Sequence, residues 1–192
     1  MNTRTHLATL LRLFAMAIIS SLCMVTSTYA ASAQVPAKRV VILIRHAEKD
    51  STVKGDNPPL TKVGKERAQD FAATVKKILA ETGVQPIQTI YVTNTERTKQ
   101  TAAPLAAALK ITPTLISIDT AEATATLKAS TASCVYIGHS NTVPQIVQSL
   151  TGEEIPPIED YEHNKLFVLT YEGRRKSLSM EVYGAPSVKP RK

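Results

Sequence analysis

The chain reads as an α/β protein, a three-layer α/β/α sandwich around a largely parallel central sheet. Two observations carry that reading. Short apolar runs alternate along the chain with segments of helical spacing, the pattern of strand–helix crossovers. The first run, Val40–Ile44, has five apolar residues without a polar break, as expected of a strand covered on both faces.

The elements follow in order. Residues 40–44 are the first strand, and "KDSTVKGDNPP" after it is a loop, because its Gly and Pro residues stop regular structure. Gly64, Ala68, Phe71, Ala72, Val75, Ile78 and Leu79 recur at spacings of three and four, predicting a helix over 61–82 with Thr61 as its cap. "TIYVTN" (89–94) is a strand, and Ala102, Leu105, Ala106 and Leu109 mark the core face of the next helix, with Pro104 as a kink or a late start. A strand near 114–118, a helical piece over 121–129 and a strand "CVYIGH" (134–139) follow. Val143, Ile146, Val147 and Leu150 line a further helix, with Pro144 in its first turn and Gly152 at its end. Residues 166–172 and 177–184 form a hairpin around Gly173, and the tail "SVKPRK" is read as a solvated end.

Composition narrows the class. The 192 residues are 43% apolar and 20% charged, a balance that suits one globular domain. Arg4 and Arg12 flank the apolar run "LFAMAIISSLCMV", which small residues follow up to Ala30 and Ala33. Residues 1–33 therefore read as a secretory signal peptide, leaving 34–192 as a single exported domain, periplasmic or secreted, with no membrane insertion after cleavage. The run is shorter than the ~18–20 residues of a spanning helix. Leu22 before Cys23 is too large for a lipoprotein cleavage site.

Cys134 is then the remaining cysteine, so an internal disulfide is excluded, and its place in an apolar run marks it as buried and inert. The net charge of +7 falls to +5 once Arg4 and Arg12 are removed, a surplus that favours anionic ligands. With no Trp and 5% aromatic residues, the chain lacks the stacking surfaces of a nucleic-acid binder.

Two strands end alike, "VVILIRH" in Arg45 and His46 and "CVYIGH" in Gly138 and His139. Ligands of open parallel sheets bind at the carboxyl ends of strands, so both histidines are expected in one cleft. Thr93 and Arg97 arrive from the end of the middle strand. Two guanidinium forks can hold a tetrahedral dianion. Ser140, Asn141 and the first amides of the helix after them would add donors. Lys49 either extends this pocket or is solvated. Within it His46, if neutral, is placed to attack phosphorus, its second ring nitrogen donating to a backbone carbonyl and nearby positive charge disfavouring protonation. A zinc site is disfavoured because the arginines repel a cation, and no cofactor is called for. His163 reads as a loop residue.

At these residues the sequence resembles the histidine phosphatase superfamily, which includes the phosphoglycerate mutases. The match rests on Arg45–His46, "LTKVG" (60–64), Arg97 with Thr101, and Gly138–His139. The resemblance implies a phosphoglycerate mutase-like fold and hydrolysis of a small or macromolecular phosphate ester without a metal. It makes His46 the phosphorylated nucleophile and Arg45, Arg97 and His139 the clamp on the transferring group. It also implies an acidic proton donor. Ser140 stands where acid phosphatases carry aspartate, which leaves Glu122 or Asp119, with Glu122 preferred. Ala47 and Thr93 replace the family's usual glycine and serine. A phosphomutase or a non-catalytic phospho-ligand binder would use the same cations. The loops 50–59 and 152–164 are expected to set specificity.

Overall fold

The computed structural model describes residues 38–189; the signal-peptide reading of residues 1–33 and its cleavage site lie outside them. Six strands form one sheet: β1 (Arg39–Arg45), β2 (Ile87–Val92), β3 (Thr114–Leu115), β4 (Ser133–Gly138), β5 (Lys165–Glu172) and β6 (Arg175–Val182). Their spatial order is β3-β2-β4-β1-β5-β6. The pairs β2–β3, β2–β4 and β1–β4 are parallel, and β5 runs against both β1 and β6. One strand in six is thus reversed, and the expectation of a largely parallel sheet holds.

Four helices complete the domain: α1 (Lys62–Thr82), α2 (Glu96–Leu109), α3 (Thr120–Ala129) and α4 (Val143–Thr151). The period-2 alternation of β1 divides its side chains between two cores. Val40, Ile42 and Ile44 pack with Phe71, Val75 and Ile78 of α1 and Ala102 and Leu105 of α2. Val41 and Leu43 pack with Ala123 and Leu127 of α3 and Ile146, Val147 and Leu150 of α4. Two helices on each face make the three layers. No helix among the described residues is long and apolar enough to cross a membrane.

Local signals account for the boundaries. Thr61 caps α1, its Oγ1 accepting the Gly64 amide at 2.9 Å. Asp119 caps α3, its Oδ1 accepting the amides of Ala121 and Glu122 at 2.9 Å each. Pro144 sits in the first turn of α4, and Gly152 ends that helix at φ 83°, a left-handed conformation that glycine adopts without a Cβ penalty. Pro104 lies inside α2 rather than at its start.

Three expectations are corrected. β2 begins and ends two residues earlier than the predicted 89–94, because Thr93 turns out of the sheet and its carbonyl takes the Thr95 amide at 2.8 Å. β3 keeps only Thr114 and Leu115 of the predicted 114–118, since the chain swings into the Asp119 cap soon after Ile116 donates to the Val92 carbonyl. The tail is anchored at Ser187, whose hydroxyl accepts the His163 amide at 3.0 Å and donates to Asn164 Oδ1 at 2.9 Å.

Cys134 is buried on β4 as a free thiol, and burial pushes its pKa up to about 11. It is inert in the native fold.

Candidate active site

The strands β2, β4 and β1 are neighbours, so their carboxyl ends open onto one edge, and each delivers part of the site just past its last residue. The β1–β4 ladder closes at the pair Arg45 and Gly138, which puts His46 and His139 side by side. Their ring centroids are 5.4 Å apart at an interplanar angle of 68°. The two imidazoles thus meet at one edge of the sheet, as expected.

His46 is held at three atoms. Its amide donates to the Gly138 carbonyl at 2.9 Å, its carbonyl accepts from Nδ1 of His163 at 3.0 Å, and its own Nδ1 donates to the Ala47 carbonyl at 2.7 Å. An Nδ1 that donates fixes the neutral tautomer with its lone pair on Nε2. The Ala47 amide in turn donates to Thr101 Oγ1 at 3.0 Å, tying the loop after β1 to α2.

The guanidiniums are arranged differently from one another. Nη1 of Arg45 donates to the carbonyls of Glu159, Asp160 and Glu162 at 2.8, 3.0 and 3.3 Å. Among the described residues the Arg97 guanidinium reaches the Asp56 carbonyl alone, at 3.3 Å. The buried Nε–H groups of both arginines find no acceptor among those residues, although buried donors are nearly always paired. Both charges act on both imidazoles. His139 Nε2 lies 2.8 Å from Thr93 Oγ1. Lys49 is exposed, lines the adjoining cleft and adds its charge at His139. That cleft, about 430 Å³, is bounded by Arg45, Glu48, Lys49, Ser51, Asp160 and His163.

His46 is pushed down to about 3, with burial the main cause and Arg45, His139 and Arg97 adding to it. His139 is pushed down to about 4 by burial, then by Arg97, Arg45 and Lys49. Positive neighbours therefore help to keep the His46 ring neutral, but loss of hydration does more. A base with a depressed pKa stays neutral until the pH falls through the lowered value. The pH profile of kcat/KM is accordingly expected to show no limb near 6.5 and to collapse only as pH drops through about 4 to 3. Because unfolded histidine protonates near ~6.5, both residues contribute full stability above that pH and lose it as pH falls toward 3. A kcat/KM limb at 6–7 that vanishes on changing His139 would contradict this.

Residues 41–124, which include Arg45, His46 and Arg97, match the family model of the histidine phosphatase superfamily (branch 1). Over that segment, 84 of its 192 residues, the chain is similar to the histidine phosphatase superfamily. His139 lies beyond the matched segment, and β4 brings it back beside His46. No curated protein matches the chain significantly. Among solved structures with this superfamily's fold is an Agrobacterium tumefaciens protein assigned as the phosphohistidine phosphatase SixA, with 21% identity and a TM-score of 0.57 over 77% of this chain and 98% of that one. Phosphoglycerate mutase from Plasmodium falciparum is 17% identical at a TM-score of 0.54, over 81% and 99% of the two chains. An Entamoeba histolytica phosphoserine phosphatase variant in complex with phosphoserine is 15% identical at 0.54, over 74% and 96%.

The "LTKVG" segment has a steric reason here. A Cβ on Gly64 would run into the Glu48 carbonyl, so glycine lets the first turn of α1 press against the chain two residues past His46.

Other expected donors fare unevenly. The amides of Thr142 and Val143 are both spent on the His139 carbonyl, at 3.2 and 3.0 Å, and Pro144 has none. The start of α4 thus offers a ligand fewer donors than expected. Ser140 and Asn141 form the turn between His139 and α4, Ser140 partly buried and Asn141 exposed. Asp119 is engaged as a cap, and Glu122 is exposed in the first turn of α3. The carboxylates that act on Arg45 are instead Asp160, Glu48 and Glu162.

Three residues of the neighbourhood escaped the sequence reading. Glu48 pairs with Arg67, whose Nε lies 2.8 and 2.9 Å from the two carboxylate oxygens and whose Nη2 lies 2.7 Å from Oε1. Arg67 also donates to the Tyr183 and Ala185 carbonyls. His163 is buried 6.0 Å from His46, centroid to centroid, and so is more than a loop residue. A cation three residues after Gly64 on the core face of α1 was the one available sign of the Arg67 pair.

Proposed function

We propose that this protein is a histidine phosphatase that hydrolyses a phosphate monoester in two steps through a phosphohistidine on His46. The observation that carries the reading is the pair of buried guanidinium Nε–H groups, from Arg45 and Arg97, that find no acceptor among the described residues and lie near a neutral imidazole. A phosphoryl group supplies the acceptor oxygens that those donors lack.

In the first step the Nε2 lone pair of His46 attacks phosphorus in line with the departing oxygen. Arg45, Arg97 and His139 hold the equatorial oxygens, where positioning and electrostatics do most of the work. Thr93, through its hydrogen bond to His139 Nε2, orients that ring, and Lys49, Ser140 and Asn141 extend the pocket toward the substrate. The departing oxygen takes its proton from Glu122, whose carboxyl is freer than that of Asp119, already bonded to two amides. Water then cleaves the phosphohistidine. Structural neighbours named as phosphohistidine phosphatase, phosphoserine phosphatase and phosphoglycerate mutase support a phosphate-ester substrate. Export by residues 1–33 belongs to the same proposal, and a reaction outside the cytoplasm favours hydrolysis over phosphoryl return to a metabolic intermediate.

The test is turnover of 4-nitrophenyl phosphate with release of orthophosphate. Activity is expected to survive chelator and to be blocked by vanadate. A protein that binds phosphate at this site but releases no orthophosphate from any of a panel of esters is a binder, and the hydrolase reading is then wrong.

A further inference from the structure

The nucleophile stands one residue past the end of β1, where the sheet no longer holds its backbone. On the β4 side the ladder reaches His46, because the Gly138 carbonyl takes its amide. On the β5 side the last pair is Ile44 with Leu166. The His46 carbonyl therefore has no strand partner there. It accepts instead from the Nδ1 of His163, a side chain of the loop that leads into β5, at 3.0 Å.

That loop is well anchored. The Glu159 amide donates to Glu162 Oε2 at 2.9 Å, and the same oxygen pairs with Lys165 Nζ at 2.8 Å. The His163 amide donates to Ser187 Oγ at 3.0 Å, so the segment after β6 holds the histidine from behind. The loop carbonyls of Glu159, Asp160 and Glu162 take the Nη1 of Arg45. One short segment thus grips both members of the Arg45–His46 pair.

We infer that His163 is a positioning residue for the nucleophile, its Nδ1–H standing in for the missing strand and fixing the carbonyl, and with it the ring direction, of His46. With its amide, its carbonyl and its Nδ1 each bonded, His46 keeps only Nε2 free. Groups in a reacting pair held slightly out of line lose rate steeply. Arg45, Glu48 and Arg67 are the charged groups that bear on His163, and none of them accepts or donates in the contact with His46. The inference rests on the phosphohistidine reading of the previous section.

The experiment compares two variants of the full chain with 4-nitrophenyl phosphate. His163→Ala removes the donor and is expected to lower kcat by about 10- to 100-fold while KM changes little, the signature of a misaimed nucleophile. His163→Asn puts an amide N–H near the position of Nδ1 and is expected to restore kcat to within about threefold of wild type. Thermal melting establishes that each variant is folded; if His163→Ala does not fold, His163→Asn carries the test alone. The inference is overturned if His163→Ala keeps kcat within about twofold. It is equally overturned if folded His163→Asn is as slow as is predicted for His163→Ala, since the imidazole itself is then required. A wild-type protein that fails to turn over the ester removes the phosphatase reading and this inference together, an outcome distinct from both.

Discussion

His46→Ala is expected to abolish both turnover and labelling of the protein by a radioactive phosphoryl donor, with kcat reduced by at least about 10⁴-fold, the scale on which losing a catalytic nucleophile acts. The label on the wild-type protein should be acid-labile and base-stable, as an N–P bond requires. The effect belongs to chemistry rather than folding. Nδ1 of His46 makes a single local bond, to the adjacent Ala47 carbonyl, while its backbone bonds to Gly138 and His163 do not need the side chain. Melting of the variant should stay close to wild type. Normal turnover in His46→Ala would exclude covalent catalysis at this site.

Arg97→Ala is expected to cost about 2.7–4 kcal/mol of transition-state stabilisation, roughly a 10²–10³-fold fall in kcat, the usual consequence of removing one preorganised donor. Arg97 is a cleaner test than Arg45. Among the described residues its side chain makes one hydrogen bond, to the Asp56 carbonyl at 3.3 Å, so its removal should leave stability within about 0.5 kcal/mol. Removing Arg45 would also strip three carbonyls of the 159–162 turn of their donor and mix folding with catalysis. Arg97→Lys keeps the charge but loses the planar fork, and is expected to fall between alanine and wild type. An Arg97→Ala protein that retains wild-type kcat and KM would show that its unpaired Nε–H serves no phosphoryl oxygen.

The order of elements was legible because core strands and helices carry periodic signals. Gly64, Phe71 and Val75 mark one face of α1 whatever lies opposite, and Val40–Ile44 can only be a covered strand. The meeting of His46 with His139 followed from the same logic, since parallel strands joined by crossovers share an edge. What escaped was set by pairings distant in sequence and without period. Glu48 and Arg67 are nineteen residues apart and meet only because Gly64 lets α1 close on the β1 loop. His163 sits in a Pro-rich loop, and only the reversal of β5, with Leu166 opposite Ile44, carries it to His46. The edge strand β3 was read too long for a related reason. Ile116 is followed by residues with strand propensity, yet the Asp119 cap competes for the chain and wins.

The single sulfhydryl of the described residues offers a clock for the molecule's opening. Cys134 lies on the strand flanked by both parallel neighbours, so an alkylating reagent can reach it only when the middle of the sheet comes apart. Its rate of modification therefore counts whole-domain unfolding events rather than the breathing of loops, and comparing that rate with and without vanadate would measure how tightly an occupied oxyanion pocket locks the three strands that frame it.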